Sequence, residues 1–465
     1  MSPAPHAAAR SLWAPQAWVD GRWREAVSLV ADEAGRWAAV EAGTPPAPGA
    51  ECLAGPALPG LVDAHSHTFQ RAFAGWAESR EGAHDDFWSW RDRMYRVALA
   101  ITPSQMRAVA THLYIELLHG GYTQVCEFHY LHHAADGRRH DEPAAMSLAL
   151  AEAAVHAGIG LTLLPAVYER AGFDRPALRD DQRRFAASAD DALALRRAVR
   201  AAGLPLVDAG AALHSLRAVR PDSLQALAEG LDGGPLHLHV AEQTAEVDDC
   251  LAATGCRPIE WLARHAPLDA RWQLVHATHA TPREIEAVAG SGAGVVLCPG
   301  TEANLGDGLP DLPRWLAAGV PLSVGSDSQV TRAWPEELRW LEYGQRLLLR
   351  RRNVAAAPQD GQPATAARLF ERMRAGGAAA CRAGTEGLQP GARADLLVVD
   401  PADGALLGVP PERTLDALLF ATPGRPFRDV MVAGRWRIRQ GRHDGQQAAA
   451  AAFSEAMAAL HGAAR

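Results

Sequence analysis

The chain is 465 residues long, 48% of its side chains are apolar and its formal charge is −8. It is too long for one ordinary small domain and apolar enough for a large core, so one big domain with a smaller one beside it is expected. The negative balance argues against nucleic acid or an anionic membrane as partner, and leaves individual arginines to grip a small acidic ligand.

No stretch approaches the ~20 uninterrupted apolar residues of a membrane span, and the opening MSPAPHAAARSLW lacks a charged start followed by an apolar core, so a soluble, cytoplasmic protein is expected. The six cysteines, Cys52, Cys126, Cys250, Cys256, Cys298 and Cys381, form no CxxC pair and read as reduced structural thiols. All 46 basic residues are arginine. Without lysine there is no P-loop, no Schiff base to pyridoxal phosphate and no carboxylated-lysine bridge between two metals.

Up to about Leu53, AWVDGRWREAVSLV and GRWAAVEAG are short alternating runs broken by glycine, which predict small strands and turns. Apolar strand-like runs then alternate with longer helical patterns, as in parallel βαβ units. The runs are LPGLVDAH, YTQVCEFHY, GLTLLPAVY, PLHLHVAE, WQLVHAT, GAGVVLCP and PLSVGSD; helices are expected at DDALALRRAVRAAG and at PEELRWLEYGQRLLLRRR, the latter opened by Pro335. About eight such units make a barrel with its chemistry at the C-terminal strand ends. Strand texture returns in GLQPGARADLLVVD and in RDVMVAGRWRIRQGR, a hairpin around Ala433 and Gly434, so both chain ends are expected to build one small domain. The expected architecture is α/β: a (β/α)8 TIM-like barrel over residues 56–385, a small β-sandwich from 1–55 and 386–445, and an alanine-rich helix or tail over 446–465.

His65 and His67 end the first run, and residues two apart on a strand face the same way, which gives two imidazoles chelate geometry. Alone, the pair reads equally well as two satisfied loop histidines. His237 and His239 repeat the pattern on a later run, and spacing leaves open which of them binds metal; Glu242 stands three beyond His239. His276 and Asp327 end two further runs, while His279 reads as a helix-entry residue. Imidazoles with a carboxylate suit zinc better than calcium or magnesium.

LPGLVDAHSH, HVAE, LVHATH and VGSDS in this order, with G(x)6ADLLVVD near the end, resemble the amidohydrolase superfamily in its cytosine-deaminase-like branch, over nearly the whole chain. The resemblance implies the barrel and the small β-sandwich. It also implies one divalent metal on His65, His67, His239 and Asp327, with His237 a structural residue deeper in the barrel. Glu242 resembles the proton shuttle, and His276 the residue that hydrogen-bonds the attacking water or hydroxide. HSHTFQRAF, DFWSWRDRMY, EFHYLHH, LHSLRAV and ELRWLEYGQR narrow the resemblance to the subgroup that hydrolyses a linear formimidoyl group on glutamate in histidine degradation. By that likeness Gln70, Arg91, Tyr130, His214 and Arg217 contact the substrate, one zinc ion serves each subunit, and the protein is a homodimer in which Arg91 acts in its own or the neighbouring site. Arginine forks suit a substrate with two carboxylates. Trp88 and Trp90 read as lid or core packing, and His129, His132 and His133 as local structure. The competing readings are a deaminase of cytosine, guanine or a triazine, and a barrel kept only as a non-catalytic scaffold.

Overall fold

A computed structural model describes residues 9–80, 87–424 and 426–462. Asp86 of the aromatic motif, the first eight residues and the last three of the alanine-rich tail lie outside the described residues.

Each of the seven apolar runs becomes a parallel strand: Leu61–Ser66, Tyr122–His129, Gly160–Val167, Leu236–Val240, Trp272–His276, Gly294–Leu297 and Leu322–Val324. Every residue in these strands is buried, as a parallel sheet covered on both faces requires. The remaining barrel strand, fourth in chain order, is Ala211–Ser215, the AALHS run, paired between the third and fifth. Strand order follows chain order around the sheet, with Val207–Ala209 a short addition beside the third strand. The expected helices form at Ala189–Ala201, capped by Ser188, and at Trp334–Leu349 with Pro335 in its first turn.

The barrel closes where the last strand meets the first. Ser66 bridges Asp327 in parallel, the His67 amide donates to the Asp327 carbonyl at 3.1 Å, and the Asp327 amide donates to the His65 carbonyl at 2.9 Å. Gly325 makes this approach possible, because a Cβ there would lie 2.7 Å from the His65 carbonyl oxygen. Beneath the seam the buried Asp63 carboxylate accepts from the Ser326 amide at 2.9 Å and from its hydroxyl at 2.6 Å. The first and last strand ends are therefore locked together one residue from Asp327.

Eight strands from both chain ends form a second, largely antiparallel sheet with its own core around Leu12, Leu29, Trp37 and Met431. Its C-terminal hairpin joins Phe427–Val432 to Arg435–Ile438 through Ala433 (φ 48°) and Gly434 (φ 71°), left-handed at both positions as a two-residue hairpin prefers. The helix Gln446–Gly462 packs on Pro103–His119, with Phe453 stacked on His112 at 4.4 Å. No described helix is long and apolar enough to cross a membrane, and all six cysteines are unpaired.

Gly325→Ala is expected to force the seam apart, at a cost of about 1–3 kcal/mol of overpacking. A lowered thermal midpoint together with weakened metal retention is the expected pair of results; an unchanged midpoint would show that the closure tolerates a methyl group.

Candidate active site

Three strand ends deliver the central cluster. His65 and His67 leave the first strand, His239 the fifth and Asp327 the eighth, all less than one-tenth exposed. The His239 Nε2 lies 3.0 Å from that of His65 and 3.2 Å from that of His67, and Asp327 Oδ1 lies 3.6 Å from both of the latter. A zinc ion with bonds of ~2.0–2.1 Å at the centre of a tetrahedron places its ligand atoms ~3.3 Å apart.

The tautomers support the fit. His67 Nδ1 faces the Phe128 carbonyl at 2.8 Å and His239 Nδ1 faces the His214 carbonyl at 2.8 Å. A carbonyl only accepts, so both Nδ1 atoms carry the proton and both Nε2 lone pairs point at each other. Facing lone pairs at that distance repel unless a cation lies between them. Burial holds all three imidazoles below the usual histidine range, and neighbouring imidazoles add to this for His65 and His239. Neutral imidazole is the ligating form.

His276 ends the sixth strand with its Nε2 3.8 Å from Asp327 Oδ2 and 3.7 Å from Glu242 Oε1. Burial alone would lower its pKa, but Glu242, the Glu302 hydrogen bond and Asp327 raise it to about 10. Burial raises Glu242 to about 7, with His276 pulling the other way. A carboxyl poised near neutrality beside an imidazole can pass a proton in either direction. The chain leaves these strands through left-handed residues, His276 (φ 69°), Asp327 (φ 47°) and Ala241 (φ 52°). Such backbone costs about 1–3 kcal/mol per residue and is held by its surroundings.

Three carboxylates that hold this arrangement did not emerge from sequence. Glu302, in the short helix Pro299–Leu305 after the seventh strand, accepts from the Cys298 amide at 2.9 Å and faces His276 Nδ1 at 3.3 Å, which aims the opposite nitrogen at Glu242 and Asp327. Glu246 accepts from the Ala241 amide at 3.2 Å and the Glu242 amide at 3.1 Å, fixing the left-handed exit that presents Glu242. Glu127 accepts from the Ser66 hydroxyl at 2.7 Å and the Thr68 amide at 2.7 Å, clamping the backbone on either side of His67. Glu302 carried one available signal, a carboxylate just after a strand run. Glu246, four residues past Glu242, has the spacing of an ordinary helix-surface pair.

A pocket opens above the cluster, roofed by the helix Phe87–Ala100. Gln70, Arg91, Tyr130, His214 and Arg217 all line it, so within a single chain Arg91 faces the same site as Arg217. Gln70 donates to the Tyr130 hydroxyl at 3.4 Å. The His214 ring packs 5.3 Å from Tyr130 and 5.2 Å from His239, and burial, with Arg217 beside it, holds its pKa well below the usual range. Outside the cluster lie His237, whose Nε2 faces the Ala380 carbonyl at 3.2 Å, and His132 and His133, bound to the Ala166 and Ala186 carbonyls. Trp90 packs on Phe73 at 5.8 Å, whereas Trp88 lies against the two arginines.

A parallel barrel with a buried imidazole–carboxylate cluster at its C-terminal mouth defines a metal-dependent hydrolase architecture. The model of the amidohydrolase family matches residues 57–437, and the chain belongs to that family. It is 46% identical to the formimidoylglutamate deiminase of Pseudomonas aeruginosa over 419 residues, 89% of this chain and 91% of that protein. The crystal structure of an amidohydrolase from Brucella melitensis superposes with a TM-score of 0.92 at 41% identity, covering 97% of this chain and 100% of that one. An adenosine deaminase from Xanthomonas campestris, crystallised with bound zinc, shares the fold at a TM-score of 0.80 and 22% identity, covering 98% and 100% of the two chains.

If Glu302 aims His276, Glu302→Ala lowers kcat about 10- to 100-fold while KM and metal content hold, and Glu302→Gln, which keeps an acceptor, loses less. Steady-state hydrolysis by the two variants checks this; full kcat in the alanine variant would mean that His276 is held by other contacts.

Proposed function

We propose that the protein hydrolyses N-formimidoyl-L-glutamate to N-formyl-L-glutamate and ammonia, a step of histidine degradation, with one zinc ion per chain on His65, His67, His239 and Asp327. The observation that carries this reading is the division of charge in one pocket. Glu242 and Asp327 reach His276 at the cluster, Arg91 on the roof helix and Arg217 both lie against Trp88 of that helix, and all four line the pocket. A linear molecule with a cationic amidine at one end and two carboxylates at the other matches that division, and each guanidinium fork suits a bidentate carboxylate. A purine or pyrimidine needs no pair of carboxylate-binding arginines. The similarity to the Pseudomonas enzyme supports the same substrate.

When bound, zinc supplies a nucleophile at neutral pH by acidifying water. Asp327 takes the proton of that water; its Oδ1 faces His65 and His67 while its Oδ2 faces His276. His276 orients and polarises the attacking oxygen as a carbon–oxygen bond forms at the formimidoyl carbon. Glu242, as a carboxylate, takes the remaining proton of the attacking oxygen and delivers it to the nitrogen; the carbon–nitrogen bond breaks as the carbonyl closes, ammonia leaves, and Asp327 keeps the first proton. In the ground state the Glu242 carboxylate pairs with the cationic amidine and so aligns it for that transfer. Gln70 and Tyr130, joined by their hydrogen bond, steer the substrate beside His67.

Ammonia release is expected from N-formimidoyl-L-glutamate, roughly tenfold or more slowly from its one-methylene-shorter aspartate analogue, and not from guanine or cytosine. Turnover of the bases without turnover of the glutamate compound would overturn the assignment. Glu242→Gln should lose about 10²- to 10⁴-fold in kcat with zinc still bound. Arg217→Met should raise KM, and unchanged KM and kcat/KM in that variant would remove Arg217 from the clamp.

A further inference from the structure

Trp88 stands on the first turn of the roof helix Phe87–Ala100, half-buried, and both arginines of the pocket lie against its ring. The Arg91 Cζ sits 4.6 Å from the ring centre and the Arg217 Cζ 5.2 Å, both within the ~6 Å at which a guanidinium is attracted to an aromatic face. Tyr95 offers Arg91 a second ring at 5.5 Å. Among the described residues, Trp88 alone touches both cations in this way.

Two guanidiniums that must converge on one small ligand repel each other and need something between them. A carboxylate would neutralise them, but it would also occupy the N–H edges that a substrate carboxylate uses. An aromatic face attracts the cation through its quadrupole and leaves those edges open. The surroundings fit this division of labour. Both Nε atoms are buried without a hydrogen-bond partner. Glu246, whose charge reaches Arg217, has its two oxygens taken by the Ala241 and Glu242 amides. Arg91 also pairs with Asp92 at 3.1 Å, but that carboxylate is 63% exposed and such a pair contributes little. Phe87 packs edge-on against the Trp88 ring at 5.1 Å, and the helix that carries both is anchored at its far end, where Arg184 donates to the Ala98 and Ile101 carbonyls.

We propose that Trp88 is a positioning residue, set between the Arg91 and Arg217 guanidiniums so that both present their N–H edges to the carboxylates of the substrate. This rests on the dicarboxylate reading above. Its signature is a change in ground-state binding with little change in the chemical step, since the tryptophan touches neither the metal ligands nor Glu242 in this scheme.

The experiment is steady-state ammonia release from N-formimidoyl-L-glutamate by wild type, Trp88→Phe, Trp88→Leu and Trp88→Met, with zinc content and thermal midpoint measured on each. The two apolar replacements lack a π face and should raise KM about tenfold while kcat stays within about twofold. Trp88→Phe keeps a face and should recover most of the loss. The proposal is overturned if either apolar variant keeps the wild-type KM, if Trp88→Phe is as impaired as they are, or if kcat and the thermal midpoint fall with KM unchanged, which is the mark of a packing role. A wild-type protein that releases no ammonia from this substrate would sink the dicarboxylate reading, and this inference with it. A normal wild type with indifferent variants would sink the inference alone.

Discussion

Bare imidazole nitrogens of His67 and His239 facing one another at 3.2 Å, with His65 Nε2 3.0 Å from the latter and a carboxylate oxygen beside them, are the constraint on which the rest of the molecule turns. The peptide carbonyls of Phe128 and His214 fix the tautomers that create the repulsion, so the backbone of the second and fourth strands enforces a demand for a cation between side chains of the first and fifth. Satisfying that demand makes a centre that can act on water. The protein around it then decides what the centre acts on.

Holding such a cluster costs free energy, and the structure meets that cost with buried acids behind each exit strand. Asp63 locks Ser326 at the seam, Glu127 clamps the segment around His67, Glu246 fixes the exit at Ala241, and Glu302 aims His276. Each places a carboxylate against backbone amides or an imidazole, where satisfied hydrogen bonds offset the loss of water. Burial pushes Asp63 up to about 7 and Glu127 up to about 8, even with these donors in place. The left-handed φ values of Ala241, His276 and Asp327 record the same tension in the backbone. In the same pocket Arg91 and Arg217 both lie against the ring of Trp88.

Much of this is legible in the sequence because strands report their geometry by simple alternation. The seven long apolar runs became strands, and histidines two apart necessarily share a face. The fourth strand, AALHS, offers two alanines, one leucine and two polar residues in place of a branched apolar run, so its pattern is the weakest of the eight. His237 and His239 share a face too, and nothing in their spacing says that one stands at the mouth while the other meets the Ala380 carbonyl below. Glu246, Glu302 and Trp88 were opaque for a different reason. Each acts through a residue distant in sequence or on a different element, and locally each resembles an ordinary helix or turn position.

The measurement that tests the account most directly is a titration of metal-stripped protein with zinc while ammonia release from N-formimidoyl-L-glutamate is followed. A single ligand set without a lysine bridge predicts activity that rises from zero and breaks at one equivalent per chain. A break at two equivalents, or full activity before any metal is added, would contradict it.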